Sequence, residues 1–309
     1  MPTLVFDIGG TKTRAGLFDC GQSALTQSVC TPTPNHLDYP AATFQELRER
    51  LVISMHRLAG EIVEDSQVTQ LNVAFAGPID AEGKVLAAPT IWGALQRSPH
   101  PLHEDLKSRW PNARVSMMND VTAAGYRYRR SREDEFCIVT VSSGIGNKVF
   151  SNGRPLLGKR GAGGELGHLR VDESPDAPLC ECGGRGHLGA VSSGRAVLDY
   201  ARANGRESLT NPELVKAFRR GEPWAVAVIA HGAAPLGWAL AAMHLGLGLE
   251  RFILVGGFAL ALGETYRLLV AQSAAARAWD GTADWSGRVE LGVNDDFSGL
   301  IGAGIAGLS

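Results

Sequence analysis

Apolar residues fall along this chain in patterns that separate strands from helices before any motif is considered. Short runs that are apolar throughout, or that alternate, predict strands at TLVFDI (3–8), RAGLFD (14–19), LNVAFAGPID (71–80, closing on a Pro-containing turn), ARVSMMND (113–120), CIVTV (137–141) and RFILV (251–255). Between 43 and 63, Phe44, Leu47, Leu51, Met55, Leu58 and Ile62 recur at three- and four-residue steps with Arg and Glu between them, which predicts an amphipathic helix. TAAGYRYRR after the strand at 113–120 predicts a second helix, and the closing GLIGAGIAGL a packed Gly- and Ala-rich one. From Pro223 to Leu249 there is no Asp, Glu, Lys or Arg. Such a stretch is long enough to cross a bilayer. Its His231, Pro235, His244 and glycines favour a buried helix instead, broken near Pro235.

Glycine punctuates these runs in a repeated way. GGTKT (9–13) separates the first two strands, and SSGIG (142–146) separates CIVTV from a further apolar run, NKVFSNG. Strand, Gly loop, strand therefore recurs about half a chain later, which indicates a duplicated unit at a separation too long for a solenoid. No helix follows the first glycines directly, and GGTKT has neither the Rossmann nor the P-loop glycine spacing, so both readings fail for this loop. The pattern predicts an α/β chain of two lobes, each opened by a strand–glycine turn–strand hairpin, with ligands in the cleft between them. The lobes are expected at 1–118 and 119–296, with the helix at 297–309 packing back on the first.

Composition narrows the classes. At roughly 100–200 residues per domain, a chain of 309 residues suits two domains. Apolar residues at 44% and charged residues at 20% are globular values. A formal net charge of −2, without a long run of either sign, gives no support to a nucleic-acid or membrane partner. The five cysteines (Cys20, Cys30, Cys137, Cys180, Cys182) are too few and scattered for a disulfide scaffold. With no signal-peptide pattern at the N-terminus, they lead us to expect a reducing, cytoplasmic location.

Four segments carry chemistry. DIGGTK (7–12) sets a carboxylate beside amides left uncovered by a Gly pair. It reads either as a plain hairpin turn or as a phosphate loop with Asp7 on Mg²⁺, and SSGIG and VGG (255–257) as further Gly turns favour phosphate. MMND ends a strand on Asn119 and Asp120. Asp120 can accept a hydroxyl proton in phosphoryl transfer and Asn119 can orient a polyol, although an Asp N-cap on the next helix is the simpler reading of the residues alone. GGELGH (163–168) places Glu165 and His168 on a Gly-flanked segment, either for sugar hydroxyls or as a solvated loop. In CECGGRGH, Cys180 and Cys182 follow His168 by twelve and fourteen positions, and His187 comes five after Cys182. Four such ligands tied by glycine turns suit a closed, structural Zn²⁺ site better than a redox pair, which favours Cys-x-x-Cys.

Taken together, DIGGTKTRAGLFD, AGPID, NDVTAAG, SSGIG, GGELGH, CECGGRGH, ILVGG and GLIGAG resemble the ROK family of sugar kinases and sugar-responsive repressors, over nearly the whole chain. The resemblance implies the actin-like (ribonuclease H-like) ATPase fold, with ATP, Mg²⁺ and a structural Zn²⁺. It implies Asp120 as catalytic base, and Asn119, Glu165 and His168 as contacts to sugar hydroxyls. It gives Asp7, Gly9, Gly10, Thr11 and Lys12, with Ser142, Ser143 and Gly144, to phosphate, and Gly256 and Gly257 to the adenosine side. His168, Cys180, Cys182 and His187 are the implied zinc ligands, and a homodimer or homotetramer the implied assembly.

Three positions depart from the family. His187 stands where a third cysteine is usual. Gly189 stands where a sugar-binding Glu is frequent. Asn147 and Lys148 replace further glycines, with Lys148 expected to point to solvent. The expected activity is ATP-dependent phosphorylation of the 6-hydroxyl of a glucose-like sugar. An aminosugar such as kanosamine, or a cyclitol, is the alternative acceptor. A sugar-sensing regulator is disfavoured, because the first phosphate loop begins at residue 7 and leaves no room for a helix-turn-helix before it.

Overall fold

The computed structural model describes residues 3–158, 163–280 and 283–308. They form two compact units. The first holds the described residues of Met1–Arg129, Leu157–Gly163 and Asp295–Ser309, the second those of Arg130–Leu156 and Gly164–Asn294.

The first unit is built on a five-stranded sheet. Strand β1 (Thr3–Ile8) runs antiparallel to β2 (Lys12–Asp19), which runs antiparallel to β3 (Ala24–Pro32). On its other side β1 pairs in parallel with β4 (Gln70–Phe75), and β4 with β5 (Arg114–Asn119). The second unit holds β6 (Phe136–Val141), β7 (Ile145–Ser151), β8 (Arg154–Pro155), β9 (Phe252–Val255) and β10 (Val289–Leu291). The two orders are β3-β2-β1-β4-β5 and β8-β7-β6-β9-β10, with matching senses of pairing along β8, β7, β6, β9 and β10. The recurrence seen in the sequence is thus a recurrence of sheet topology.

Period-two alternation explains how β1 is covered. Leu4, Phe6 and Ile8 share a core with Leu47, Leu51, Met55 and Leu58 of the helix Phe44–Ala59. That helix opens on a capping box between Thr43 and Glu46 and ends at Gly60. Each such buried side chain contributes about 1.5–3 kcal/mol. Val5 faces the other way, into a cluster with Phe18, Ala74, Ala123, Leu300 and Ala303. Asp7 follows Val5 on that face, and this sets its surroundings.

The cluster joins the helix Asp120–Arg127 to the C-terminal helix Ser298–Ala306. Arg127 donates from both Nη atoms to Asp295, each at 2.6 Å, a two-pronged ion pair that fixes the same junction. The division between units therefore falls after Arg129 rather than at 118/119, and Asn119 and Asp120 lie in the first unit. The contact is close because of glycine: a Cβ at Gly302 would lie 1.7 Å from the Ala123 carbonyl oxygen. Gly302→Ala is accordingly expected to cost about 1–3 kcal/mol by forcing the helices apart. A lowered urea midpoint checks this, and an unchanged midpoint contradicts the packing.

In the second unit, the helix Pro223–Leu247 runs unbroken through Pro235 for 25 residues, against the break expected there. Packing overrides the lost hydrogen bond: Ala233, Leu236, Ala239 and Leu240 on either side of Pro235 are all buried in one core with Cys137, Val139 and Val141 of β6. Among the described residues this is the one helix long and apolar enough to cross a membrane.

Candidate active site

The two Gly loops occupy the same place in the two sheets, the turn from the central strand to its antiparallel neighbour. In the first, Gly9 donates its N–H to the Lys12 carbonyl at 3.0 Å. Thr33, just past β3, clamps the loop from outside. Its N–H reaches the Thr11 carbonyl at 3.0 Å and its hydroxyl the Gly9 carbonyl at 2.8 Å. Thr11 and Lys12 are exposed. In the second loop, Ser142 donates its N–H to the Gly144 carbonyl at 2.9 Å and accepts at its own carbonyl from Gly194 at 2.8 Å. Its Ser142 and Ser143 side chains are exposed. Gly256 and Gly257 link β9 to the helix Gly257–Leu262. Gly256 has φ +93°, and a Cβ there would meet Thr140 Oγ1 and the Val141 carbonyl at 2.7 Å, so the turn requires glycine.

Asn119, not Asp120, caps the helix Asp120–Arg127. Its Oδ1 accepts from the amides of Val121 at 3.1 Å and Thr122 at 3.2 Å. Its Nδ2 donates to the Gly77 carbonyl at 3.1 Å and to Asp120 Oδ1 at 2.8 Å. The Val121 amide also reaches Asp120 Oδ1, at 2.9 Å. One carboxylate oxygen is thus fully engaged, and Oδ2 meets no protein donor among the described residues. Burial pushes the Asp120 carboxyl up to about 7, and the nearby charge of Asp7 adds to the shift. The hydrogen bonds from Val121 and Asn119 act in the opposite direction.

Asp7 is likewise raised by burial, to about 6. Arg14 lowers it, with Nη1 3.7 Å from Asp7 Oδ2, and Asp296 raises it. The sequence reading missed Arg14, although hairpin register around the glycine turn pairs Asp7 with Arg14 directly. A partly buried carboxylate beside a second one, Asp120, at the mouth of an amide-rich loop is an oxygen donor set that fits a hard divalent cation such as Mg²⁺.

The second unit carries the Cys/His cluster. Two short antiparallel bridges, Arg170 with His187 and Leu179 with Arg185, bring its pieces together. The turn from Cys180 to Gly184, which carries Cys182, is closed by the Cys180 N–H to Gly184 O bond at 2.7 Å. One ligand atom from each of His168, Cys180, Cys182 and His187 lies within 4.8 Å of all the others. His168 Nδ1 is 3.7 Å from Cys180 Sγ, and His187 Nδ1 is 3.2 Å from Cys182 Sγ. Two thiols and two imidazoles gathered this closely fit tetrahedral Zn²⁺. His168 turns its other nitrogen, Nε2, toward Glu165, 4.0 Å from Oε2.

Asn147 and Lys148 hold this segment from behind. Asn147 Oδ1 accepts from the Leu166 N–H at 3.0 Å. Lys148 is only 5% exposed, contrary to the expectation of solvent, because β7 is covered on both faces there. A Cβ at Gly164 would lie 3.1 Å from Lys148 Nζ. Burial lowers the lysine's proton affinity, and Glu165 opposes that. Gly189 packs on the same segment: a Cβ there would come within 3.2 Å of the Gly167 carbonyl oxygen.

Comparison with known proteins places this geometry. The sequence profile of the ROK family matches residues 3–306. A C(7)-cyclitol 7-kinase of Streptomyces hygroscopicus subsp. jinggangensis is 38% identical, covering 97% of this chain and 92% of its own. An N-acetylmannosamine kinase of Citrobacter koseri is 33% identical over 85% of this chain and 86% of its own. Among solved structures, the ROK family glucokinase of Streptomyces griseus, in complex with glucose and AMPPNP, superposes with a TM-score of 0.79. It is 25% identical and covers 98% of each chain. The ROK hexokinase of Thermus thermophilus gives a TM-score of 0.77 at 28% identity, covering 99% of this chain and 97% of its own.

Proposed function

The chain belongs to the ROK family as a phosphotransferase of the sugar-kinase type, and from that premise we propose that it transfers the γ-phosphoryl group of ATP to the primary hydroxyl of a C7-cyclitol. The observation that carries the chemistry is Asp120. It is a carboxylate with proton affinity near neutrality, held by Asn119 at a helix start, with one oxygen kept clear of protein donors.

In this reading Asp120 Oδ2 takes the hydroxyl proton while the acceptor oxygen bonds to the γ-phosphorus and the bond to the β-bridging oxygen breaks. Asn119 orients the acceptor, and Glu165 and His168 hold ring hydroxyls. The backbone of Gly9 and Gly10, with Thr11 and Lys12, and the loop Ser142, Ser143 and Gly144 hold phosphate oxygens. Gly256 and Gly257 accommodate the adenosine side. Asp7 would hold Mg²⁺, which when bound offsets charge on the phosphates. Zn²⁺ on His168, Cys180, Cys182 and His187 would fix the segment bearing Glu165, Nδ1 of His168 lying beside Cys180 and Nε2 beside Glu165.

Gly189 supports the choice of acceptor. A family Glu at this position reaches the anomeric side of a sugar, and a carbocycle has neither ring oxygen nor anomeric hydroxyl to satisfy. The relative at 38% identity acts on such a ring by its name. A panel of a C7-cyclitol, glucose, kanosamine and N-acetylmannosamine at one ATP·Mg²⁺ concentration tests the assignment. The cyclitol is expected to exceed glucose in kcat/KM by about tenfold or more, since hydroxyl-reading sites discriminate sharply. Preference for glucose or N-acetylmannosamine would refute it.

A further inference from the structure

The second unit contains a cavity of about 860 Å³ that reaches well past the residues given a role so far. At one end it is lined by Gly144 of the second glycine loop, His168 and Gly189. From there it follows the helix Gly194–Ala203, whose Arg195, Ala196, Asp199, Tyr200 and Ala203 all line it. The start of that helix is tied to the glycine loop by the Gly194 N–H to Ser142 carbonyl bond. From Arg195 to Ala203 a helix advances about 12 Å, so the cavity runs that far from the loop. The helix Pro223–Leu247 lines it in parallel through His231, Pro235 and Trp238, which share one helical face.

Size and chemistry both exceed the needs of one six-membered ring. The volume lies near the top of the roughly 300–1,000 Å³ range of pockets that enclose drug-sized ligands. The Tyr200 and His231 rings stack with centroids 3.9 Å apart at 11°. Tyr200 and Trp238 remain 38% and 36% exposed. Partly exposed ring surfaces with Arg195, Asp199 and His231 among them match a saturated ring, which presents apolar C–H faces and a rim of hydroxyls. Gly189 lines the end nearest His168, and its lack of a side chain leaves more room at that end.

We propose that this cavity is an extension subsite, and that the acceptor is a two-ring compound: a cyclitol or sugar carrying a second glycosyl-type ring on the side that faces Gly189. The proposal rests on the kinase reading above and adds to it the size of the substrate.

The test compares kcat/KM for a C7-cyclitol and for the same cyclitol bearing one glucosyl residue, in the full chain with ATP and Mg²⁺. The two-ring acceptor is expected to be favoured by about tenfold, as stacking and desolvation of a second ring would give. Tyr200→Ala removes the platform, and Ala203→Trp fills the exposed far end without touching a core position. Both are expected to pull the ratio of the two kcat/KM values toward one. A wild-type ratio at or below one, or a ratio that neither variant moves, overturns the subsite while leaving the kinase reading standing. Absence of turnover with both acceptors overturns the cyclitol assignment of the kinase.

Discussion

Asp120→Asn is expected to lower kcat by about 10²–10⁴-fold while leaving the KM for ATP nearly unchanged. The substitution keeps the size and shape of the side chain while removing its charge and its capacity to take a proton. The helix start should survive it, because the cap belongs to Asn119, whose bonds to Val121 and Thr122 do not involve Asp120.

The pH profile provides the sharper signature. Burial and the charge of Asp7 hold the Asp120 carboxyl at about 7, so the base form is lost as pH falls through that value. The acidic limb of log kcat/KM should therefore have its midpoint near 7 in the native chain and vanish in the variant. Stability should move in the opposite sense. A folded-state value raised from 3.8 to about 7 means that ionising Asp120 disfavours the fold, so native stability should fall relative to Asp120→Asn as pH rises between those values. A folded variant that retained native kcat would exclude Asp120 as the base.

The second large effect is expected at the Cys/His cluster. Purified protein should carry about one zinc per chain. Cys182→Ser, and separately His187→Ala, should lower that content and the thermal midpoint. Either change should also raise the acceptor KM by about 10–100-fold, the usual cost of disturbing what orients a binding residue. The coupling runs through His168, whose Nδ1 faces Cys180 and whose Nε2 faces Glu165. The KM for ATP should move far less. His187→Cys should restore both metal and acceptor affinity if the imidazole acts as a fourth ligand. A protein that binds no zinc when metal content is measured directly would reduce the segment to a Gly-rich turn carrying thiols.

Much of this was legible in the chain. The repeated strand–glycine loop–strand pattern anticipated two lobes each opened by a hairpin, and the three- and four-residue steps between 43 and 63 anticipated the Phe44–Ala59 helix. Spacing alone brought His168, Cys180, Cys182 and His187 together. What escaped depends on partners distant in sequence or on how many faces of an element are covered. Thr33 clamps the first glycine loop from beyond β3, which no local pattern announces. Lys148 was expected in solvent because lysines rarely bury, yet β7 is covered on both sides. Pro235 looked like a break because propensity reads one helix at a time, whereas the core around it holds both turns in line. Asp120 and its helix were assigned to the wrong unit because their attachment runs through Gly302 and Arg127 to the far end of the chain.

The central claim is that this chain phosphorylates the primary hydroxyl of a cyclitol-type acceptor with Asp120 as base. The most direct measurement is phosphorus NMR of the product formed from ATP, Mg²⁺ and a C7-cyclitol by native and Asp120→Asn protein at matched concentration. The account predicts one phosphomonoester on the exocyclic carbon from the native chain, and no more than trace product from the variant. Equal product from both proteins, or phosphate on a ring hydroxyl, would contradict it.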